Sequence, residues 1–214
     1  MLNQVYMFSE LEPSDARLLT EHTHTRTYPA NSILINEGDQ TDSLYVILEG
    51  EVKAYASDES GKEVILNILG PGEYFGELAL VDDQPRSASV MTLKPTRAMI
   101  ISKQNFKQCL SENTELAFNL IRNLTRQVRG LTDSVKNLAL MDVYGRVART
   151  LLDLAHDVDG KQVIEQKLTH QDIANMVGAS REMVSRILKD LSRGGYITTD
   201  KKSITINEKL PAGW

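Results

Sequence analysis

One apolar stripe limits most strongly what this chain can fold into. Between about residues 113 and 140, apolar side chains recur at alternating spacings of four and three residues. The positions are Ala117, Ile121, Leu124, Val128, Leu131, Val135 and Leu138. This heptad pattern is typical of a helix that pairs with another helix. Because the stripe is narrower than a core-facing helix usually presents, we expect a dimer through its last six residues. A helix packed on its own domain is the alternative.

The part of the chain before the stripe has the pattern of short strands. Between about residues 32 and 101, apolar runs alternate with turn residues, and Ser60-Gly61 predicts a hairpin turn. We expect Gly50 to break one strand and Pro95 to separate two others. Repeated short strands with glycine turns predict an antiparallel β-roll or barrel.

The part after the stripe has the pattern of a winged helix-turn-helix. In "LTHQDIANMVGASREMVSRILKDL", Thr169 is a candidate N-cap, with Asp172 three residues later. Gly178 suits the tight turn between two helices, and Ser180 is placed to cap the second helix. The following "YITTDKKSITI" alternates around a polar turn, as the strands of a β-hairpin wing do.

The second helix of this motif is predicted to face DNA. Arginine can bind guanine with two hydrogen bonds and glutamate can accept from cytosine N4, so Arg181, Glu182 and Arg186 are candidates for base contacts. The alternative is a solvated helix face with pairs such as Arg186–Asp190. The residues predicted to contact DNA are Thr169, Gln171, Ser180, Arg181, Glu182, Ser185, Arg186, Lys189, Lys201 and Lys202.

The charge of the chain is unevenly distributed. The net charge is −5, which by itself does not indicate nucleic-acid binding. Residues 142–214 contain 11 basic and 10 acidic residues, whereas residues 1–141 contain 13 basic and 19 acidic residues. The C-terminal part is therefore close to neutral, and it can bind DNA if its basic groups lie on one face.

Composition excludes several classes of protein. Cys109 is the only cysteine, which excludes a disulfide framework and a site built on several cysteines, and favours a reducing, cytoplasmic setting. No apolar run approaches the roughly 20 residues of a membrane span. The N-terminal residues lack the basic region and apolar core of a signal peptide. We find no catalytic triad and no metal-ligand pattern, and therefore do not expect an enzyme.

The stretch "GELALVDDQPRS", residues 76–87, combines groups that suit an anionic ligand. A short helix that starts at Gly76 and Glu77 directs free backbone N–H groups toward an anion. Gly76 lets a ligand approach the backbone, and Arg86 offers a charge-assisted donor fork beside Ser87. The alternative is a structural Glu77–Arg86 ion pair that closes a loop. Apolar walls for such a ligand are expected from Val52, Leu66 and Leu78.

A roll, a dimer helix and a DNA-binding motif in this order resemble the Crp/Fnr family of bacterial transcription regulators, specifically its cyclic-AMP receptor branch. The resemblance covers nearly the whole chain and is most specific in "GELALVDDQPRSA", "NLALMDVYGRVARTLL" and "GASREMVSRILKDL". It implies that residues 76–87 are a phosphate-binding cassette. It also implies that Glu77 accepts from the ribose 2′-hydroxyl, Arg86 pairs with the cyclic phosphate and Ser87 donates its hydroxyl.

The chain departs from the family pattern at two places. The resemblance implies that Leu131 and Thr132 stand where hydroxyls of the two dimer helices meet the adenine amino group. Thr132 keeps a hydroxyl but Leu131 has none, so adenine recognition is expected to be weaker or the protein closer to its active state. The cassette is also one residue shorter between Glu77 and Arg86 than in the enteric receptor.

The sequence therefore predicts an α+β fold in three parts. These are a cyclic-nucleotide-binding β-roll or jelly roll over 1–112, a dimerisation helix and hinge over 113–141, and a winged helix-turn-helix domain over 142–214. The predicted function is a homodimeric transcription regulator that binds cAMP as an allosteric ligand and reads a TGTGA-like inverted repeat in double-stranded DNA. The alternatives are a regulator that answers another effector or none, and a ligand-binding adaptor that docks protein.

His22 and His24 lie in a polar segment before the first predicted strand. They are interpreted as ordinary surface histidines. The alternative, implied by the resemblance, is a contact to RNA polymerase, and Arg26 stands where that family leads us to expect a histidine.

Overall fold

The computed structural model describes residues 5, 8, 23–40, 42–165, 168–200 and 203–211. It divides into two compact units, Met1–Val128 and Arg129–Trp214. Each unit has its own apolar core, and the two are described separately.

The first unit is built on an antiparallel sheet of six strands. The strands are β1 (His24–Tyr28), β2 (Ile33–Ile35), β3 (Ser43–Ser57), β4 (Glu63–Leu69), β5 (Tyr74–Phe75) and β6 (Ser89–Ser102). Their order is β1-β6-β3-β4, and β2 pairs with β6 while β5 pairs with β3. The hairpin turn predicted at Ser60-Gly61 is present between β3 and β4, where the Gly61 N–H donates to the Asp58 carbonyl.

The two predicted interruptions of the strands are wrong. β3 continues through Gly50, and β6 continues through Pro95. The pairing of β3 with β6 shifts register on both sides of residue 50, so a bulge absorbs the irregularity without ending either strand. Gly50 has a φ of 97°, and a Cβ there would overlap Thr96, which explains why glycine stands at this position.

Two apolar clusters hold the first unit together. One lies within the sheet and includes Val52, Leu69 and Phe75, with the ring of Tyr45 stacked on that of Phe75 at 5.0 Å. The other joins the sheet to the helices α1 (Leu78–Val81), α2 (Lys103–Glu112) and α3 (Thr114–Leu140). Its helical members are Leu80, Phe106, Cys109, Leu116 and Leu120.

Helix α3 carries both a buried and an exposed apolar stripe. Leu116 and Leu120 are buried in the first core, and Leu124 packs partly against it. The other predicted dimer residues have exposed side chains, between 55% and 65% of their surface, at Ile121, Val128, Leu131, Val135 and Leu138. Packing on the helix's own core therefore accounts for Leu124 and not for the rest of the heptad stripe.

The second unit has the predicted winged helix-turn-helix order. Its helices are α4 (Val143–Leu154), α5 (His170–Val177) and α6 (Arg181–Arg193). Thr169 and Asp172 form a capping box at the start of α5, with backbone bonds of 3.1 and 2.8 Å. Gly178 ends α5 in the left-handed region, and Ser180 caps α6. The predicted caps and turn are confirmed, and the α+β fold class with them.

A β-hairpin, for which no strands were predicted, lies around Gly160. Strands β7 (His156–Val158) and β8 (Lys161–Ile164) pair with the wing strands β9 (Ile197–Thr199) and β10 (Ile204–Ile206) in the order β7-β8-β10-β9. Asp159 and Gly160 both have positive φ angles, which suits a two-residue hairpin turn. The segment is therefore part of the wing sheet. Among the described helices, none combines the length and apolar character that crossing a membrane requires.

Candidate ligand site and nucleic-acid interface

The guanidinium of Arg86 is buried in the first unit and held by backbone carbonyls. Its Nη1 donates to the Gly76 carbonyl and its Nη2 to the Ser43 carbonyl, each at 2.5 Å. The main chain of Arg86 is paired as well: its N–H donates to the Asp39 carbonyl, and its carbonyl accepts from the Gly38 N–H. Main chain and side chain together therefore define where this cation lies.

Gly76 has a structural role in addition to the predicted one. It has a φ of 88°, and a Cβ at this position would overlap the Arg86 guanidinium. The absence of a side chain thus makes room for the arginine, and the approach of a ligand to the Gly76 backbone stays a prediction. Glycine at 76 and arginine at 86 are in this sense one structural pair.

Glu77 is a buried carboxylate at the start of α1, only 5% exposed. Burial raises the pKa of this carboxyl, because the charged form loses its water; its own N–H, the Gln127 amide and the charge of Arg86 act in the opposite direction. Within the described chain, Glu77 forms no ion pair. The structural Glu77–Arg86 ion pair considered as an alternative is therefore not observed.

The cassette thus places two opposite charges in a largely dehydrated environment. Burial also lowers the pKa of Arg86. Charged side chains are almost never this buried unless a partner compensates them. An ionised carboxylate has about four acceptor positions, and the amide of Gln127 is the one side-chain donor to Glu77 among the described residues. The site can therefore accept a hydroxyl donor at Glu77 beside a fixed cation.

Two residues of this site were missed in the sequence. Gln127 Nε2 donates to Glu77 Oε1 over a long 3.5 Å, and Asn123 Nδ2 donates to the hydroxyl of Tyr74 at 2.6 Å. Asn123 and Gln127 are four residues apart and share one face of α3. One turn earlier the same face carries another amide, the buried Asn119, so a series of amides at four-residue spacing was the available signal.

The other predicted ligand residues differ in their surroundings. Val52 is fully enclosed in the sheet core, whereas Leu66 on β4 and Leu78 on α1 are exposed. Ser87 is exposed on the loop beside Arg86. Their contacts to a ligand stay predictions.

Leu131 and Thr132 are exposed residues of α3 and belong to the second unit. Their proposed contact with the base therefore also stays a prediction. As for metals, the described residues contain no group of three or more His, Cys, Asp or Glu side chains that is arranged to hold an ion.

Helix α6 separates an apolar face from a polar one. Its buried residues are Val184, Ile187, Leu188 and Leu191. Arg181, Glu182, Arg186 and Lys189 are exposed, and Ser185 is partly exposed. Among the described residues, none of these cations forms an ion pair, and the Arg186–Asp190 pair considered as an alternative is absent. The helix therefore presents uncompensated positive charge, as a phosphate-rich partner requires.

The remaining predicted DNA contacts lie around this helix. The hydroxyls of Thr169 and Ser180 serve as helix caps and are exposed. Gln171 is exposed and its amide donates to Asn175. Lys201 and Lys202, predicted in the wing, lie outside the described residues.

The histidine segment is described only in part. His24 is exposed on β1, and the Arg26 guanidinium lies 5.1 Å from the ring centre of Tyr28. His22 lies outside the described residues. The choice between surface histidines and a polymerase contact stays open.

In comparisons with known proteins, the N-terminal and the C-terminal parts of the chain each match a family model. Residues 25–113 match the family model of the cyclic nucleotide-binding domain. Residues 145–209 match that of the Crp-like helix-turn-helix domain. The first match includes the cassette, and the second includes α5, α6 and the wing.

Characterised relatives extend the similarity along the chain. The cAMP-activated global transcriptional regulator CRP of Pasteurella multocida is 38% identical over 192 residues, which cover 86% of this chain and 90% of that protein. The CRP-like cAMP-activated global transcriptional regulator of Mycobacterium tuberculosis is 33% identical over 212 residues, covering 97% and 95%. Among solved structures, the c-di-GMP responsive regulator CLP of Xanthomonas campestris matches with a TM-score of 0.78 at 26% identity, covering 92% of this chain and 100% of that chain.

Proposed function

This chain belongs to the Crp/Fnr family of DNA-binding transcription regulators with a cyclic-nucleotide-binding domain, and on that premise we propose that it is a homodimer whose affinity for DNA is set by cAMP. The nucleotide binds at residues 76–87. Its cyclic phosphate pairs with Arg86, and its ribose 2′-hydroxyl donates to Glu77. The observation that carries this proposal is the burial of both charges in one cassette.

The chemistry of the cassette favours a cyclic mononucleotide. Such a ligand carries one phosphate charge and one free ribose hydroxyl, which correspond to one guanidinium and one carboxylate. The relatives from Pasteurella multocida and Mycobacterium tuberculosis are described as cAMP-activated. The structural relative from Xanthomonas campestris responds to c-di-GMP, which carries two phosphates. We therefore assign cAMP and keep c-di-GMP as the competing effector.

The DNA-binding part of the proposal rests on α6 and on two-fold symmetry. A dimer through the exposed stripe of α3 provides two copies of α6. Two copies read an inverted repeat whose half-sites, TGTGA-like by family resemblance, lie about one helical turn apart. Arg181 and Arg186 each take a guanine, and Glu182 takes a cytosine. RNA polymerase is the expected further partner on the bound promoter.

A gel-shift titration on an inverted TGTGA repeat tests the proposal, with no nucleotide, cAMP, cGMP or c-di-GMP present. We expect cAMP to tighten DNA binding more than the other nucleotides do. By thermodynamic linkage, DNA must then tighten cAMP binding by the same factor. Equal DNA affinity under all conditions would support an effector-independent regulator, and no DNA binding would support the protein-docking adaptor.

A further inference from the structure

The loop between Glu77 and Arg86 is tied to helix α2 by a group of ion pairs. Asp83 lies at the middle of this loop and has a φ of 59°, in the left-handed region. One of its carboxylate oxygens lies 2.8 Å from Lys103 Nζ and 2.8 Å from Lys107 Nζ, and the other lies 2.9 Å from Lys107. Aspartate is among the few non-glycine residues that adopt this backbone region, and the two lysines fix the position of its side chain.

Lys103 also contacts the segment that holds the guanidinium of Arg86. The backbone N–H of Lys103 donates to the Asp42 carbonyl at 2.8 Å, and its Nζ lies 3.8 Å from the Asp42 carboxylate. The next residue, Ser43, supplies the carbonyl that accepts from Arg86 Nη2. Lys103 therefore connects the loop that precedes Arg86 with the strand end that holds its guanidinium.

We propose that Asp83, Lys103 and Lys107 form an ionic latch that positions Arg86 for the cyclic phosphate. The proposal rests on the proposed function, because it assumes that the phosphate binds at Arg86. Its physical basis is pre-organisation: if only part of the free protein has a binding-competent loop, the apparent affinity falls by that fraction. These three are positioning residues, and the phosphate contact itself belongs to Arg86.

Two properties agree with an electrostatic latch. The hydrogen bonds from Lys103 and, to a smaller extent, from Lys107 lower the pKa of the Asp83 carboxyl to about 2, so this carboxylate is charged at neutral pH. Asp83 is more than half exposed, which means that salt screens the interaction. The effect on affinity is therefore expected to be modest and to depend on ionic strength.

The test uses the full-length protein and calorimetric titration with cAMP. Asp83→Asn removes the charge but keeps a residue that tolerates the left-handed region. We expect it to weaken cAMP binding about two- to fivefold in low salt, and the ratio to wild type to approach one in high salt. Lys107→Gln should weaken cAMP binding less than Asp83→Asn does. In the double variant, Lys107→Gln should cause no loss of affinity beyond that of Asp83→Asn. Asp153→Asn, which breaks the exposed Arg149–Asp153 pair in the second unit, is the matched control and should bind as wild type does.

The Arg86→Leu background separates positioning from a general loss of stability. There, Asp83→Asn should not lower the residual affinity further, because the latch acts through Arg86. Hydrogen exchange of residues 82–88 without ligand should be faster in Asp83→Asn than in wild type. Two outcomes overturn the latch and leave the proposed function standing. In the first, wild type binds cAMP and Asp83→Asn binds it with the same affinity. In the second, Asp83→Asn lowers the affinity for cAMP further in the Arg86→Leu background. A wild-type protein that binds no cyclic nucleotide overturns the proposed function, and the latch with it.

Discussion

At the scale of single residues, the cassette combines a guanidinium held by backbone carbonyls with a buried carboxylate. Arg86 reaches its carbonyl partners because Gly76 has no side chain, and Glu77 is buried with a long amide contact from Gln127. Dehydrated charges interact more strongly with a ligand than solvated ones do, because less water competes for them. Single substitutions at these positions should therefore change affinity measurably.

Replacing Arg86 with leucine should remove the cation that pairs with the cyclic phosphate. Charge-assisted contacts of this kind contribute about 1.5–3 kcal/mol, so affinity for cAMP should fall at least about tenfold by calorimetry. The thermal unfolding of the variant should be measured as well, because the Gly76 and Ser43 carbonyls lose a hydrogen-bond donor and the fold could lose stability. Arg86→Lys keeps the charge without the fork and should give an intermediate affinity. Equal affinity in wild type and Arg86→Leu contradicts the assignment.

Gln127→Met should weaken the orientation of Glu77 while keeping a side chain of similar size. The expected loss of cAMP affinity is about two- to tenfold, as for one hydrogen bond. Glu77 is proposed to accept from the 2′-hydroxyl, which 2′-deoxy-cAMP lacks. The substitution should therefore reduce the affinity for 2′-deoxy-cAMP much less than the affinity for cAMP. Calorimetric titration of wild type and variant with each nucleotide measures the two losses of affinity. A parallel loss for both ligands would show that Gln127 acts on the fold and not on the hydroxyl contact.

At the scale of elements, each functional helix combines one buried stripe with one exposed face of different chemistry. Helix α6 buries four apolar residues and exposes cations that form no ion pair with described residues. Helix α3 buries leucines in its first turns, and one and two turns later the amides of Asn123 and Gln127 donate to Tyr74 and Glu77. In both helices the buried stripe determines which side chains remain for a partner.

On α6, Arg186→Ala and Lys189→Ala should have different consequences for DNA binding. Loss of a bidentate guanine contact costs about 1–3 kcal/mol and relaxes the preference at one base pair. Loss of a phosphate contact should weaken binding to all sequences alike and reduce the salt dependence. Selection of binding sites from random DNA, with titrations at two salt concentrations, measures both. An unchanged selected sequence for Arg186→Ala argues against base readout by this helix.

At the scale of the whole molecule, the five exposed residues of the heptad stripe support the proposed dimer. Large apolar side chains at regular helical spacing, more than half exposed, are costly in water and mark an interaction surface. In the proposed dimer, a second copy presents the same stripe and covers it with two-fold symmetry. Two DNA-reading helices and an inverted repeat are what that proposed symmetry predicts.

Changing Leu131 and Val135 together to aspartate should give folded monomers. Both residues are exposed in the chain, so the fold of each unit should survive, whereas a dimer would bury unpaired charges. Leu124 is unsuitable, because it also packs on the first core. Lys136→Asp, outside the stripe, changes the net charge equally and should remain dimeric. If sedimentation of the double variant still shows dimers at micromolar concentration, the interface lies elsewhere.

The sequence alone determined those features that depend on residues close together in the chain. The capping box of Thr169 and Asp172, the glycine turn at Gly178 and the Ser180 cap each act over at most four residues. Their hydrogen bonds form within one turn of helix, so local pattern suffices. Asp159-Gly160 is an equally local signal for a hairpin turn, since both residues have positive φ angles.

Only the tertiary structure decided the features that depend on distant partners. β3 and β6 run through Gly50 and Pro95 because long pairing across a bulge outweighs local breaking tendencies. The contact between Glu77 and Gln127 joins residues 50 positions apart, and no local pattern encodes it. The latch at Asp83 likewise needs α2 to pack beside the cassette loop. The residue types of the site follow from local sequence, whereas their burial, and with it the strength of their charges, arises only when distant segments exclude water together.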